Sequence, residues 1–204
     1  MSIKASSSAE FPHAKIIVKT PRVSQGFLNN LLVEKEAWIR EQLRKLEQNG
    51  AKRVNLEDEV LLFGEICSID LEEATHLREL LQKMRVNNEK NILRCYDDFY
   101  KQFAQNHIVP RVEYFAKCMD LEYQEIKFRK MKSRWGSCSS TKILTFNTEL
   151  IKIEEELIDY VIVHELAHLV HMNHSAKFHS LVEQYIPHAK HLRKNLKKIH
   201  ILSE

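Results

Sequence analysis

Glycine and proline are scarce in this sequence, with four residues of each among 204. Long flexible linkers are therefore not expected, and we find neither an internal repeat nor a low-complexity segment. The longest apolar run is far too short to span a membrane, and the stretch "MSIKASSSAEFPHAK" lacks the apolar core of a secretory signal. We therefore expect a cytoplasmic protein that does not cross a membrane.

Paired cysteines are also missing. The four cysteines, Cys67, Cys95, Cys118 and Cys138, form no C-x-x-C pair. This excludes a cysteine zinc finger and a thioredoxin-type site, and in the cytoplasm we expect four reduced thiols. The net charge of +3 is too small for a dedicated nucleic-acid-binding protein.

Apolar periodicity and turn signals predict a mixed order of strands and helices, which favours an α+β fold. Strands are predicted at 14–20, on both sides of Gly64 within 54–71, at 123–131 and at 142–150. Helices are predicted at 27–48 after an N-cap at Ser24, and at 71–86, 88–119, 154–172, 175–185 and 189–201. Pro110 is expected to divide the segment 88–119 into two helices.

Three segments follow from this pattern. Residues 1–13 are expected to be a disordered or weakly ordered tail, 14–87 an N-terminal strand/helix subdomain, and 88–204 the core that carries the functional residues. Within the core, 132–141 is predicted to be a loop between a hairpin-like pair of strands. The second of these, 142–150, alternates polar and apolar residues as a half-exposed strand or an edge strand does.

Histidine is the abundant exception, since eight of the eleven histidines follow residue 160. "HELAH" places His164 and His168 four residues apart, on one face of a predicted helix. Two imidazoles at that spacing can share a zinc ion, and Glu165 between them can reach a metal-bound water as a general base. The motif predicts a catalytic metal site, with other divalent transition metals as alternatives to Zn²⁺.

A third ligand must come from chain that has turned back. His171 is about 10 Å along the helix from His164, too far to share an ion. Asn173 is a plausible helix terminator, so His174 becomes the predicted third ligand. Glu183 on the next helix is the rival. The histidine spacing equals that of metzincins, although His171 stands where they have glycine.

These segments resemble a known family. "RWGSCSS" (134–140), "FNTEL" (146–150), "DYVIVHELAHL" (159–169) and "NHSAKFH" (173–179) are similar to the YgjP-like metal-dependent hydrolases, relatives of the SprT and WLM zinc peptidases. "AWIREQL" (37–43) and "LLFGE" (61–65) agree in order. The resemblance covers about 14–200 and implies one continuous family domain over that range.

The resemblance implies a zincin-like (minigluzincin-like) core with a small antiparallel sheet and an active-site helix. It carries the metal ligands onto His164, His168 and His174 and the catalytic glutamate onto Glu165. His179 departs from it, since the family usually has tryptophan there. The N-terminal strand segment is also shorter than is common, so the first sheet is expected to be trimmed.

Further contacts to substrate or to the transition state are predicted around this site. An oxyanion stabiliser is required, and Arg134, His179 and Tyr185 are the candidates. Trp135 lies in the basic stretch "RKMKSRWGSC", which either binds phosphate or lines a substrate cleft; packing of Trp135 into the core is the structural alternative. The strand 142–150 is a candidate for pairing with an extended peptide.

Three functions remain open at this stage. The first is a zinc metallopeptidase acting on peptides or proteins. The second, which the family resemblance implies, is a metal-dependent nucleoside triphosphate pyrophosphohydrolase, with phosphates held by the basic residues at 129–134. The third is a non-enzymatic adaptor with a structural zinc that docks on nucleic acid through "KHLRKNLKK".

Overall fold

The computed structural model describes residues 2–8, 11–48 and 54–199. The chain divides into two compact units, 1–51 and 52–203. No described helix combines the length and the apolar character needed to cross a membrane. The mixture of small sheets and helices confirms the predicted α+β class.

The N-terminal unit contains a hairpin and two helices. Strands β1 (Ser2–Ser8) and β2 (Phe11–Lys19) pair antiparallel, and helices α1 (Gln25–Glu34) and α2 (Glu36–Gln48) follow. The Ser24 side chain caps α1 by accepting from the N–H of Phe27, as predicted. Two predictions were wrong: much of 1–13 is strand rather than tail, and the expected helix 27–48 is two helices that meet at Lys35.

The second unit is built around one long helix. Its elements in order are β3 (Glu59–Leu62), β4 (Glu65–Ser68), α3 (Thr75–Gln82), α4 (Glu89–Met119), β5 (Glu125–Arg129), β6 (Gly136–Cys138), β7 (Ile143–Asn147), α5 (Glu155–Ala167), α6 (Ala176–Tyr185) and α7 (Ala189–Leu196). Short 3-10 turns lie at Glu72–Ala74 and Thr148–Lys152.

Helix α4 is continuous, so the predicted break at Pro110 was wrong. Ile108 and Val112, on either side of Pro110, are both fully buried. Packing of this continuous apolar face therefore outweighs the loss of one helical hydrogen bond at an exposed proline.

The division between units falls near residue 51 rather than at 87/88, because the β3–β4 hairpin and α3 pack on α4. Val60 and Leu77 belong to the same buried cluster as Phe99. Hydrogen bonds add to this contact: the Tyr96 hydroxyl donates to the Glu59 carbonyl (2.7 Å), and the Leu61 N–H donates to the Tyr100 hydroxyl (3.1 Å).

The core sheet has the order β5-β7-β6 and is mixed rather than antiparallel. β5 runs parallel to β7, and β6 pairs antiparallel with β7, with Gly136 opposite Phe146. The predicted loop 132–141 thus contains a strand, and the predicted edge strand at 142–150 is central. Leu144 and Phe146 are fully buried, consistent with a central strand.

Two of the three C-terminal helices, α5 and α7, end earlier than predicted. α5 ends at Ala167 instead of 172, since the N–H groups of Leu169 and Val170 bond to carbonyls three residues back. Asn173 therefore does not terminate it. α6 begins after Ser175, which caps it, as predicted. α7 ends at Leu196, and residues 200–201 of its predicted range lie outside the described residues.

Candidate metal centre

Three histidine rings converge where α5 ends and the chain turns back. His164 lies in the last turn of α5, His168 immediately follows the helix, and His174 lies on the segment before α6. Ring centroids are 5.0 Å apart for His164 and His168, and 4.8 Å apart for His168 and His174. One ligand atom from each ring lies within 4.8 Å of the other two.

The nitrogen positions fit a divalent ion. Ligand nitrogens about 2.0–2.1 Å from a tetrahedral zinc lie about 3.3 Å from each other. The Nε2 atoms of His164 and His174 are 3.0 Å apart. The Nδ1 atom of His168 lies 3.0 Å from the carbonyl oxygen of His171, and a donated proton there leaves the Nε2 lone pair of His168 for the ion.

The protonation state also suits metal binding, which needs neutral imidazoles. Burial, followed by the neighbouring His168 and His174, lowers the pKa of His164 to about 3. Burial and the charge of His168 lower the pKa of His174 as well. These two rings are therefore neutral at pH 7, with little proton competition for the ion.

The ring of Phe178 packs against the rings of all three histidines. Its fully buried ring lies 4.9 Å from His164, 4.6 Å from His168 and 4.9 Å from His174, measured between centroids. One aromatic side chain from α6 therefore contacts every histidine of the cluster and restricts how far each ring can tilt.

The rival ligands are placed elsewhere. The side chains of His171 and Glu183 are not members of the ligand group within the part of the chain that the structure describes. His171 contributes its backbone carbonyl instead, as the partner of the His168 ring. Cys138 borders the same cleft but is also outside the group.

Glu165 projects into the cleft beside the cluster. Its side chain is only 6% exposed, and burial raises its pKa to about 8, an effect that the positive charge of Arg134 partly opposes. Gly136 of β6 lies against it: a Cβ atom at Gly136 would be 2.7 Å from the Glu165 Oε1 atom. The carboxylate thus sits between the helix that bears the histidines and the strand on the opposite wall.

The cleft that contains these groups has a volume of about 470 Å³. One wall of the cleft consists of the three histidines and Glu165. Its opposite wall is β6 with the preceding residues Ser133 and Arg134. Met172, which is 60% exposed, lies at the margin. An extended chain bound here would pass between a sheet edge and the histidine cluster.

The other predicted contact residues are dispersed. Arg134 lines the cleft, and its side chain has no ion pair or hydrogen bond among the described residues. Trp135 packs against the core cluster, as the structural alternative proposed. The His179 ring is 3.3 Å from Arg193 and stacks on His174 at 6.2 Å, so it contacts a candidate ligand rather than the cleft. Tyr185 packs against the core outside the cleft lining.

The basic stretch before β6 contributes little positive charge to the cleft. Lys130 forms an ion pair with Asp97 at 2.7 Å, and Arg129 and Lys132 are exposed outside the cleft lining. Of the basic residues in this stretch, Arg134 alone lines the cleft within the described chain.

Three relevant residues were missed from the sequence: Gly136 beside Glu165, Arg193 beside His179, and the buried Asn147. A glycine within "RWGSC" and an asparagine within "FNTEL" carry no local signal of these contacts. Each contact joins residues that are at least 13 positions apart, so only the folded arrangement of sheet and helices brings them together.

The chain is similar to a described protein family and, over part of its length, to solved structures. A family model described as the YgjP-like metallopeptidase domain matches residues 9–199. No curated protein is significantly similar to the chain. Solved structures similar to a little under half of the chain include the metallopeptidase zymogen abylysin of Pyrococcus abyssi (22% identity, TM-score 0.42, 47% of this chain and 99% of that one) and the metallopeptidase zymogen jannalysin of Methanocaldococcus jannaschii (26% identity, TM-score 0.41, 45% and 94%).

Proposed function

The chain belongs to the YgjP-like metallopeptidase family, whose members are metal-dependent hydrolases, and from this membership we propose a zinc-dependent peptidase in which Glu165 is the general base. The observation that carries the proposal is the convergence of His164, His168 and His174 beside a buried carboxylate in an open cleft. Three protein ligands leave one coordination position for water, as in catalytic rather than structural zinc sites.

The chain's own residues have distinct roles in this proposal. The three histidines hold the ion through neutral ring nitrogens. When bound, zinc lowers the pKa of its water to about 7 and polarises the substrate carbonyl. Glu165 removes a proton from the attacking water and delivers it to the leaving amine. Its pKa of about 8 without metal is expected to fall beside a divalent cation, which gives the ionised base.

Substrate binding is proposed at β6. This strand pairs with β7 along one edge only and is the outer strand of its sheet among the described elements. Its residues Gly136, Ser137 and Cys138 line the cleft, so an extended peptide can add to the free edge by main-chain hydrogen bonds. Arg134 is proposed to contact the developing oxyanion or a substrate carboxylate.

The alternatives receive less support. A nucleoside triphosphate needs several cations around its phosphates, whereas Lys130 is paired with Asp97 and Arg134 is the basic residue of that stretch in the cleft. A structural zinc needs a fourth protein ligand, and Cys138 is not among the grouped ligand atoms of the described chain. The cytoplasmic location predicted from sequence remains a prediction.

Substitution of Glu165 by Gln tests the proposal. The zinc-loaded variant should retain one zinc per chain and lose about 10²–10⁴-fold in kcat. Hydrolysis of fluorescent casein and a quenched peptide library should be measured beside release of pyrophosphate from UTP. Metal-dependent UTP hydrolysis without peptide cleavage would favour the pyrophosphohydrolase, and full peptidase activity of E165Q would exclude the general-base role.

A further inference from the structure

Asn147, the last residue of β7, uses its entire side-chain amide on backbone groups. The Nδ2 atom donates to the carbonyl oxygens of Met131 (2.7 Å) and Arg134 (3.0 Å). The Oδ1 atom accepts from the N–H groups of Met131 (3.2 Å) and Glu149 (3.1 Å). A carboxamide offers two donors and two acceptor sites, so all four positions are occupied.

The backbone of Asn147 adds a fifth bond, since its N–H donates to the Trp135 carbonyl oxygen at 2.8 Å. Residue 147 therefore contacts both polar backbone groups of Met131 and the carbonyls of Arg134 and Trp135. These groups belong to the segment 131–135, which joins β5 to β6. Asn147 is fully buried, so water cannot replace the bonds that its side chain makes.

The segment 131–135 leads directly to the cleft. Ser133 and Arg134 line it, and Gly136 follows with its Cα against Glu165. The side chains of Lys132, Ser133 and Arg134 are exposed and do not fix this backbone by packing, whereas Trp135 at the end of the segment packs against the core. Between Met131 and Arg134, the position of the cleft wall therefore depends on the bonds to residue 147.

We propose that Asn147 is a positioning residue for hydrolysis, acting through the segment 131–135 to hold Arg134 and Gly136 in place opposite Glu165. The proposal rests on the proposed function, because it assigns a role in that reaction to a residue that touches neither metal nor cleft. Asn147 does not react with the substrate but fixes the position of other residues. Such positioning affects the rate, because small displacements of groups around a reacting centre can cost about a hundredfold.

A purely structural role for Asn147 is the competing explanation, because its Oδ1 atom also caps the 3-10 turn Thr148–Lys152. The variant N147D separates the two roles. An aspartate keeps the oxygen that accepts from Met131 and Glu149, so the cap is retained. The donors to the Met131 and Arg134 carbonyls are replaced by a second oxygen, so the segment 131–135 is released.

The kinetic test is a double-mutant cycle between N147D and R134A on the zinc-loaded full-length chain. A quenched peptide cleaved by the wild type is the probe, with zinc content and the absorption spectrum of the Co²⁺-substituted protein recorded for each variant. We expect N147D to lose at least about tenfold in kcat/KM with an unchanged Co²⁺ spectrum. We also expect R134A to cost little in the N147D background, since residues that act through one another are not additive.

A second measurement does not depend on activity. In a Trp38→Phe background, Trp135 is the remaining tryptophan, and acrylamide quenching of its fluorescence should increase in N147D. N91D is the matched control: the Asn91 side chain donates to the Val86 carbonyl at 2.9 Å, away from the cleft residues, so neither signal should change. If N147D does not fold, N147S carries the same measurements.

The outcomes separate the two proposals. Additive losses in the cycle, wild-type kcat/KM in N147D, or unchanged quenching of Trp135 overturn the positioning role. A wild-type chain that cleaves no peptide overturns the peptidase proposal. In that case the same cycle is run on any UTP hydrolysis, and Trp135 quenching decides whether Asn147 holds the segment.

Discussion

Gly136 lies so close to Glu165 that a Cβ atom on residue 136 would be 2.7 Å from the Glu165 Cγ atom and 2.9 Å from its Cδ atom. Real Cβ atoms do not approach other heavy atoms this closely, so one of the two must move. Glu165 is a buried residue of α5, adjacent in the chain to the candidate ligand His164, which leaves its carboxylate little room to retreat.

The variant G136A should therefore bind zinc normally and hydrolyse peptides poorly. We expect kcat to fall by about 10–100-fold, because the general base is displaced while the three histidines are untouched. Steady-state kinetics and zinc content measure the two effects separately. G26A is the matched control, since a Cβ atom at Gly26 meets nothing within 4 Å. Equal kcat for G136A and wild type would show that Glu165 is not held by this contact.

Removal of the third candidate ligand should abolish tight metal binding. H174A is expected to lose zinc affinity by about a hundredfold or more, because the nitrogens of His164 and His168 alone cannot complete the site. H171A is the control: it removes a neighbouring imidazole but keeps the backbone carbonyl that contacts the His168 ring. Competition titration with a zinc indicator compares them. Strong binding by H174A together with loss in E183A would assign the ligand to Glu183.

The stability of the metal-free protein should depend on His164 in acid. Burial holds the pKa of His164 near 3 in the folded chain, whereas an unfolded histidine titrates near 6.5. Between these values the unfolded state binds the extra proton, so stability is complete above pH 6.5 and falls as pH decreases. The His164 contribution lost between pH 6.5 and 5 is about 2 kcal/mol.

Urea unfolding in EDTA at several pH values measures this effect. The loss of stability should be smaller by that amount in H164F, which has no titrating group at residue 164. Identical pH dependence in H164F and wild type would mean that His164 is protonated in the folded metal-free chain.

The convergence of the three histidines could be predicted from the sequence because it depends on local geometry. His164 and His168 are one helical turn apart, and His174 follows after a short return of the chain. The wall that faces them could not be predicted in this way. β6 has three residues, and its existence depends on pairing with β7, which local alternation does not encode.

The same limit applies to the sheet as a whole. The parallel pairing of β5 with β7 places β7 between β5 and β6. The alternation of polar and apolar residues along 142–150 is nevertheless typical of an edge strand. Its polar Asn147 is buried because it bonds to the segment 131–135, which precedes it by 12 positions or more. The sequence shows which residues are polar, but the chain topology determines which hydrogen-bond partners allow a polar residue to be buried.

Pro110 gives a direct test of the balance between local propensity and packing. A proline inside a helix costs about 3 kcal/mol through the lost hydrogen bond and the clash of its ring. The rigid proline ring also restricts the unfolded chain, which returns about 0.4–1 kcal/mol of stability.

Pro110 is exposed within α4, so P110A should remove the cost without leaving a cavity. We expect P110A to stabilise the protein by about 2 kcal/mol, measured by urea unfolding of the zinc-loaded chain. P187A is the control, because Pro187 lies between α6 and α7, where no helical hydrogen bond is missing, and its replacement should leave stability unchanged or slightly lower. If P110A is instead less stable than wild type, the proline ring contributes to the continuity of α4, and packing by Ile108 and Val112 is not what overrides the sequence signal.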